Sequence, residues 1–134
     1  MIVKFIQLFL VTLGAFFIID MIWLGLVARK FYRDQLGFIM SPKVNWPAAI
    51  VFYLLYIVGL IFFVTSPAIL RGSAPYAFFS GAFFGLICYA TYDLTNLATL
   101  KDWPLKVTLV DLVWGSTLSA LLALIGFYFG SAIF

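Results

Sequence analysis

The sequence predicts an all-α integral membrane protein with four transmembrane helices and a short interfacial helix between the first and second. Composition carries much of that reading. The 134 residues are 66% hydrophobic and 10% charged, where soluble domains run at about 45–50% and about 25%. Mean hydropathy is +1.17. Four apolar stretches are parted by short polar turns, and each is long enough for the roughly 30 Å of hydrocarbon in a bilayer.

The first span covers about residues 5–28. It exceeds the roughly 7–15-residue apolar region of a signal peptide and carries Asp20 within it, so it reads as a retained helix. From Arg29 to Asn45, basic residues alternate with Phe31, Tyr32, Leu36, Phe38 and Ile39 until Gly37 and Pro42 break the pattern. That composition suits a helix lying in the interface, followed by a turn. Asn45 is placed to N-cap the second span, about residues 46–65, with Trp46 in the aromatic belt and Pro47 in the first turn. Ser66-Pro67 is expected to close that span or kink its last turn. Phe52, Tyr53, Tyr56, Phe62 and Phe63 distribute around it with no polar centre. The third span covers about 76–100 and the fourth about 105–134, joined by Lys101-Asp102-Trp103-Pro104, where Trp103 reads as an interfacial anchor. Gly81-x-x-x-Gly85 and Gly126-x-x-x-Gly130 read as packing seams. The whole, residues 1–134, is expected to be one four-helix transmembrane domain.

Charge sets the orientation. Arg29, Lys30, Arg33, Lys43, Lys101 and Lys106 flank spans on one side, against Lys4 and Arg71 on the other, which places the long loop in the cytoplasm and both termini outside. The net charge of +3 is therefore a topology signal and a contact for anionic lipid head groups, and no nucleic-acid partner is expected. A single cysteine, Cys88, excludes an intramolecular disulfide and reads as a small buried hydrophobe. With no histidine in the chain, His-ligated haem, the usual zinc sites and histidine-based nucleophilic pairs are excluded. No cofactor is evident and no metal site is assigned.

Three aspartates, Asp20, Asp93 and Asp111, lie inside apolar spans, where an ionisable residue is a functional-site hypothesis by default. Topology brings the ends of spans one and three and the start of span four to the same face. Each aspartate lies six to eight residues inside that face, roughly 9–12 Å deep. Asp20 and Asp111 each have a tryptophan three residues on, Trp23 and Trp114, forming Asp-x-x-Trp twice; Asp93 shares its helix face with Tyr89 and Asn96, and Tyr92 adjoins it. The candidate ligand- or ion-binding set is Asp20, Asp93, Asn96, Asp111, Trp23, Trp114, Tyr89 and Tyr92. Asp93 is expected to face the bundle interior with Asn96, with Asp20 and Asp111 approaching from flanking helices.

Several functions use such a cluster. The leading one is binding or transport of a proton, a cation or a small polar or cationic ligand, for which a homo-oligomer or a partner membrane protein would complete a translocation path. A lipid-modifying enzyme or enzyme subunit would use the acids for metal or acid/base chemistry, with Arg29, Lys30, Arg33 and Lys106 gripping a head group; no catalytic residue is assigned. A non-catalytic membrane partner would use its aromatic faces. In the structural alternative the acids bond to Asn96, Tyr92, Thr95 and Lys106 and only fix the bundle.

Taken together, Asp20-Met21-Ile22-Trp23-Leu24-Gly25, Tyr92-Asp93-Leu94-Thr95-Asn96-Leu97-Ala98-Thr99-Leu100 with Trp103-Pro104, and Asp111-Leu112-Val113-Trp114-Gly115 resemble a family of small bacterial predicted membrane proteins of unknown function. The resemblance spans essentially the whole chain. It implies four spans in a bacterial inner membrane and carries over no activity.

Overall fold

A computed structural model describes residues 1–134, and the protein is 86% helical with no strands. α1, Ile2–Ile22, continues through a wide π turn at Trp23–Val27 to form the first span. α2, Arg29–Leu36, is the short helix expected at the interface. α3, Trp46–Leu60, a π turn at Ile61–Thr65 and α4, Ser66–Arg71, form the second span, while α5, Ala74–Thr99, and α6, Leu105–Ile133, are the third and fourth. All four spans are long and apolar enough to cross a membrane.

Local chemistry sets the boundaries. Asn45 caps α3 by accepting the Ala48 N–H at 3.2 Å, and Ser73 caps α5 by accepting that of Tyr76 at 3.1 Å. Between them the second span ends at Gly72, whose φ of 59° is the left-handed conformation that terminates helices. Ser66-Pro67 does not close this span; of the two outcomes expected there, a distortion of the helix at the proline is what the structure shows. A proline inside a helix clashes with the carbonyl four residues back. The turn before it is widened, with the Ser66 N–H reaching five residues back to Ile61, so the helix passes over the proline to Arg71.

α6 is the centre of the bundle. Of its most apolar window 44% is buried, against 17% for the first span. Its inward face reads Thr108, Asp111, Gly115, Leu118, Ser119, Leu122, Gly126 and Gly130, a helical spacing that leaves Leu109, Val113 and Tyr128 exposed toward lipid. Lipid offers no hydrophobic drive for helices to associate, so small residues that allow close approach set the register. Gly81 of α5 lies on Ala123 and Ser119, and Gly85 on the Gly115 carbonyl and Ser119. Gly115 in turn accepts the ring of Tyr89, and one turn further along α5 Asp93 arrives beside Thr108. On α1, Phe5 packs on Phe134, Leu8 lies near Gly130, Thr12 near Gly126, and Trp23 stacks on Trp114. These antiparallel registers bring Asp20, Asp93 and Asp111 to one end of the bundle.

Two interior contacts depart from the sequence reading. The second span has a polar contact after all, since Tyr56 is buried and hydrogen-bonds Ser119 of α6; Thr65 is fully buried too, its hydroxyl without a partner. Trp103 is not an interfacial anchor. It is 7% exposed, and its indole donates to Thr108 Oγ1 at 3.0 Å, which donates to the Asp93 carbonyl at 3.3 Å. The ring thereby closes the turn between α5 and α6, where Asp102 takes a left-handed φ of 59° that aspartate tolerates better than most residues. Trp46, by contrast, is exposed as a belt residue should be.

The glycine seam makes a direct prediction. A Cβ on Gly85 would fall on the Gly115 carbonyl and the Ser119 side chain, whereas one on Gly14 would meet nothing within 4 Å. Gly85→Ala is expected to destabilise the bundle by about 1–3 kcal/mol, read as a lower melting temperature in detergent. Gly14→Ala should be neutral or stabilising by up to about 1 kcal/mol.

Candidate functional site

The site is assembled on α5 and α6. Because Gly81, Gly85 and Gly115 let these helices nearly touch, Asp93, which follows Gly81 and Gly85 on the same face of α5, is driven into the interface. It has no exposed surface, and neither carboxyl oxygen meets a hydrogen-bond donor. Asp111, 8% exposed on α6, lies within hydrogen-bonding reach of it. Two ionised carboxylates only accept, so this contact is a bond only when one of them carries a proton. Like charges about 4 Å apart at an effective dielectric constant near 20 repel by about 4 kcal/mol, so two ionised carboxylates side by side are strongly disfavoured here.

The other face of Asp111 is occupied by a residue the sequence reading did not place in the site. Tyr32 reaches from α2, its hydroxyl donating to Asp111 Oδ1 at 2.5 Å and accepting from Trp23 Nε1 at 3.1 Å. Burial, and after it the carboxylate beside it, push the Tyr32 phenol above its ordinary range, so it remains a neutral donor at physiological pH. The chain turns back at Ala28, whose small side chain is 3% exposed at the α1–α2 junction, and this lays α2 over the end of the bundle. The signal was a tyrosine one helical turn after that alanine. Nothing local ties it to a partner 79 residues away.

The two Asp-x-x-Trp motifs are crossed. Trp23 and Trp114 stack face to face, with ring centroids 4.3 Å apart and planes 8° from parallel. Trp23 does not bond Asp20 of its own helix; through Tyr32 it serves Asp111. Trp114 does not bond Asp111 either. Its buried indole N–H lies near Asp20 but makes no well-formed hydrogen bond. Asp20, 6% exposed, and Asp111 are on one pocket of about 220 Å³, lined also by Tyr32, Tyr89, Tyr92 and the two tryptophans. On the far side of Tyr89, Tyr92 and Asp111 an outward groove of about 490 Å³ is completed by Phe52, Cys88 and Thr91. No lysine or arginine lines either space.

Seven of the eight residues expected at the site are thus brought together. Asn96 is the exception: it is half-buried beside Tyr92, lines neither space and leaves Asp93 without a donor. The remaining partners of the structural alternative also stand aside, since Thr95 bonds back to Thr91 and Tyr92 of its own helix and Lys106 is exposed. No three acidic side chains converge as a ligand set for a metal ion.

Fold and site together define a class: a four-helix membrane protein with a buried acid pair at one end, closed over by an interfacial helix. The chain belongs to the predicted membrane protein family DUF2177, whose profile matches residues 5–128. That match takes in all three intramembrane aspartates as well as Tyr32. No curated protein and no solved structure matches the chain.

Removing the Tyr32 hydroxyl leaves Asp111 without its donor. Tyr32→Phe is expected to lower stability by about 1–3 kcal/mol, read as a drop in melting temperature, while Tyr128→Phe, on an exposed tyrosine, should change nothing. Because the folded-state pKa of Tyr32 is raised, its contribution is complete below the ordinary tyrosine pKa of about 10 and is lost as pH climbs above it. The melting temperature should therefore fall more steeply above that pH in the wild type than in Tyr32→Phe.

Proposed function

We propose that this protein is a bacterial inner-membrane binding protein whose carboxylate cluster takes up a proton, a cation or a small polar or cationic ligand. The basic residues around α2 and the α5–α6 turn support an orientation with this end of the bundle toward the cytoplasm and both termini outside. The observation that carries the reading is Asp93: a carboxyl group with no exposed surface and no donor on either oxygen, set against a second carboxyl. A purely structural acid would be expected to have its donors built in. Asp111 has one in Tyr32 and Asp93 has none, so the proton resides on Asp93 while Asp111 faces the pocket as the charged member.

This arrangement couples the pocket to a proton. A cation arriving at Asp111 and Asp20 stabilises negative charge there and lowers the cost of releasing the proton held by the pair. The phenols facing the pair are Tyr32 from α2 and Tyr89 and Tyr92 from α5; none of them takes up a proton at neutral pH. Binding and proton release at one end of the bundle are half of an exchange mechanism. Passage across the membrane would need a second copy or a partner to complete a path, since the other end of the bundle is packed with Leu8, Gly126, Phe127 and Gly130.

Infrared spectroscopy tests the core of this reading. Purified protein at neutral pH should show the carbonyl band of a protonated carboxylic acid, shifted in heavy water. The band should vanish in Asp93→Asn and persist in Asp20→Asn. A wild type without the band, or a band that survives Asp93→Asn, would overturn the proposal.

A further inference from the structure

We infer that the pocket beside Asp20 and Asp111 takes the ammonium head of an amphiphilic organic cation, whose hydrocarbon tail lies in the outward groove behind Tyr89 and Tyr92. The inference rests on the cation-binding reading above and adds the class of ligand.

The lining selects the head group. Hard inorganic cations are held by about six or more oxygen ligands, and this pocket offers the carboxylates of Asp20 and Asp111 among aromatic walls: Tyr32, Tyr89, Tyr92 and the Trp23–Trp114 stack. Aromatic faces around a carboxylate attract a weakly hydrated ammonium, by the quadrupole of the rings and by the opposite charge together. No basic side chain on the lining competes for the acids. Behind Asp111, outside the pocket lining, lies the fully buried Asp93 carboxyl, whose oxygens meet no protein donor.

The second space selects the tail. At about 220 Å³ the pocket is smaller than the roughly 300–1,000 Å³ of common ligand sites, so it holds a head group rather than a whole amphiphile. Tyr89, Tyr92 and Asp111 are common to the pocket and to the apolar groove of about 490 Å³. A ligand with its charge at Asp111 can therefore continue past the tyrosines into the groove. Phe52 and Tyr92 there are exposed on the lipid-facing surface, so the tail leaves along the membrane and the head need never cross open water.

The test uses the full chain in a non-ionic maltoside detergent, with dodecyltrimethylammonium as the probe and tetramethylammonium and dodecanol as controls, read by tryptophan emission. Dodecyltrimethylammonium should bind saturably. Asp111→Asn and Asp20→Asn should each weaken it about tenfold or more. Should a buried acid variant fail to fold, Tyr92→Leu, at an exposed position of the shared wall, should still weaken binding several-fold without altering the infrared band of the acid pair. Tetramethylammonium should bind at least about tenfold more weakly than the dodecyl compound, and dodecanol should give no acid-dependent signal. Equal affinity in wild type and all variants would be micelle partition and would overturn the inference. Equal affinity for tetramethylammonium would overturn the placement of the tail. No binding of either cation, in a protein that keeps the Asp93-dependent acid band, would remove the ligand assignment and leave the proton site standing.

Discussion

A carboxyl group within the hydrocarbon of a bilayer must be turned inward, because facing lipid costs roughly 2.5–3.5 kcal/mol even on the lenient insertion scale. Asp20, Asp93 and Asp111 all obey, each being no more than 8% exposed. What turns Asp93 and Asp111 toward each other is the near-contact of α5 and α6 at Gly81, Gly85 and Gly115. Dispersion between closely packed backbones is the force available to helices in lipid. The same approach that binds the helices presses two acids together, at a cost that two ionised carboxylates would make large.

The crossed aromatic arrangement follows from that compression. With α5 and α6 in contact, α1 lies along the remaining side of α6, and the two tryptophans that follow the outer aspartates meet face to face. A stacked pair cannot direct both indoles at the aspartates of their own helices. Trp23 instead orients Tyr32, and Tyr32 supplies Asp111 with its donor. α2 is thereby joined to the acid pair by a chain of hydrogen bonds, a charged amphipathic helix on the surface tied to a carboxyl group inside the membrane. Such networks hold orientation more firmly than isolated bonds do. A movement of α2 would be felt at Asp111 before anywhere else in the protein.

The buried Asp93, both lined spaces and the interfacial helix thus meet at one carboxyl group. Asp111 accepts from Tyr32, faces Asp93 and lies on both the smaller pocket and the apolar groove. Asp20 lies on the smaller pocket alone. This asymmetry gives the two Asp-x-x-Trp motifs different work despite their identical spacing: one lends a carboxylate to the pocket, the other couples the pocket to the buried acid.

By itself the sequence determined the four spans, the interfacial helix, the cap at Asn45 and the shared level of the three aspartates, because each depends on composition, helical period or a turn residue within a few positions. Those forces are local, and hydrocarbon admits almost no backbone alternative to a helix. It also pointed to seven of the residues around the site, since an ionisable group in an apolar span stands out against its neighbours. The tertiary structure alone decided how they pair. Tyr32 joins Asp111 across 79 residues, Trp103 leaves the interface to close a turn, Asn96 falls outside the pocket, and the tryptophans exchange partners. Each of those outcomes depends on which helix faces come within contact distance, and that is set by small residues on α5 and α6 whose effect is felt only once the helices have packed.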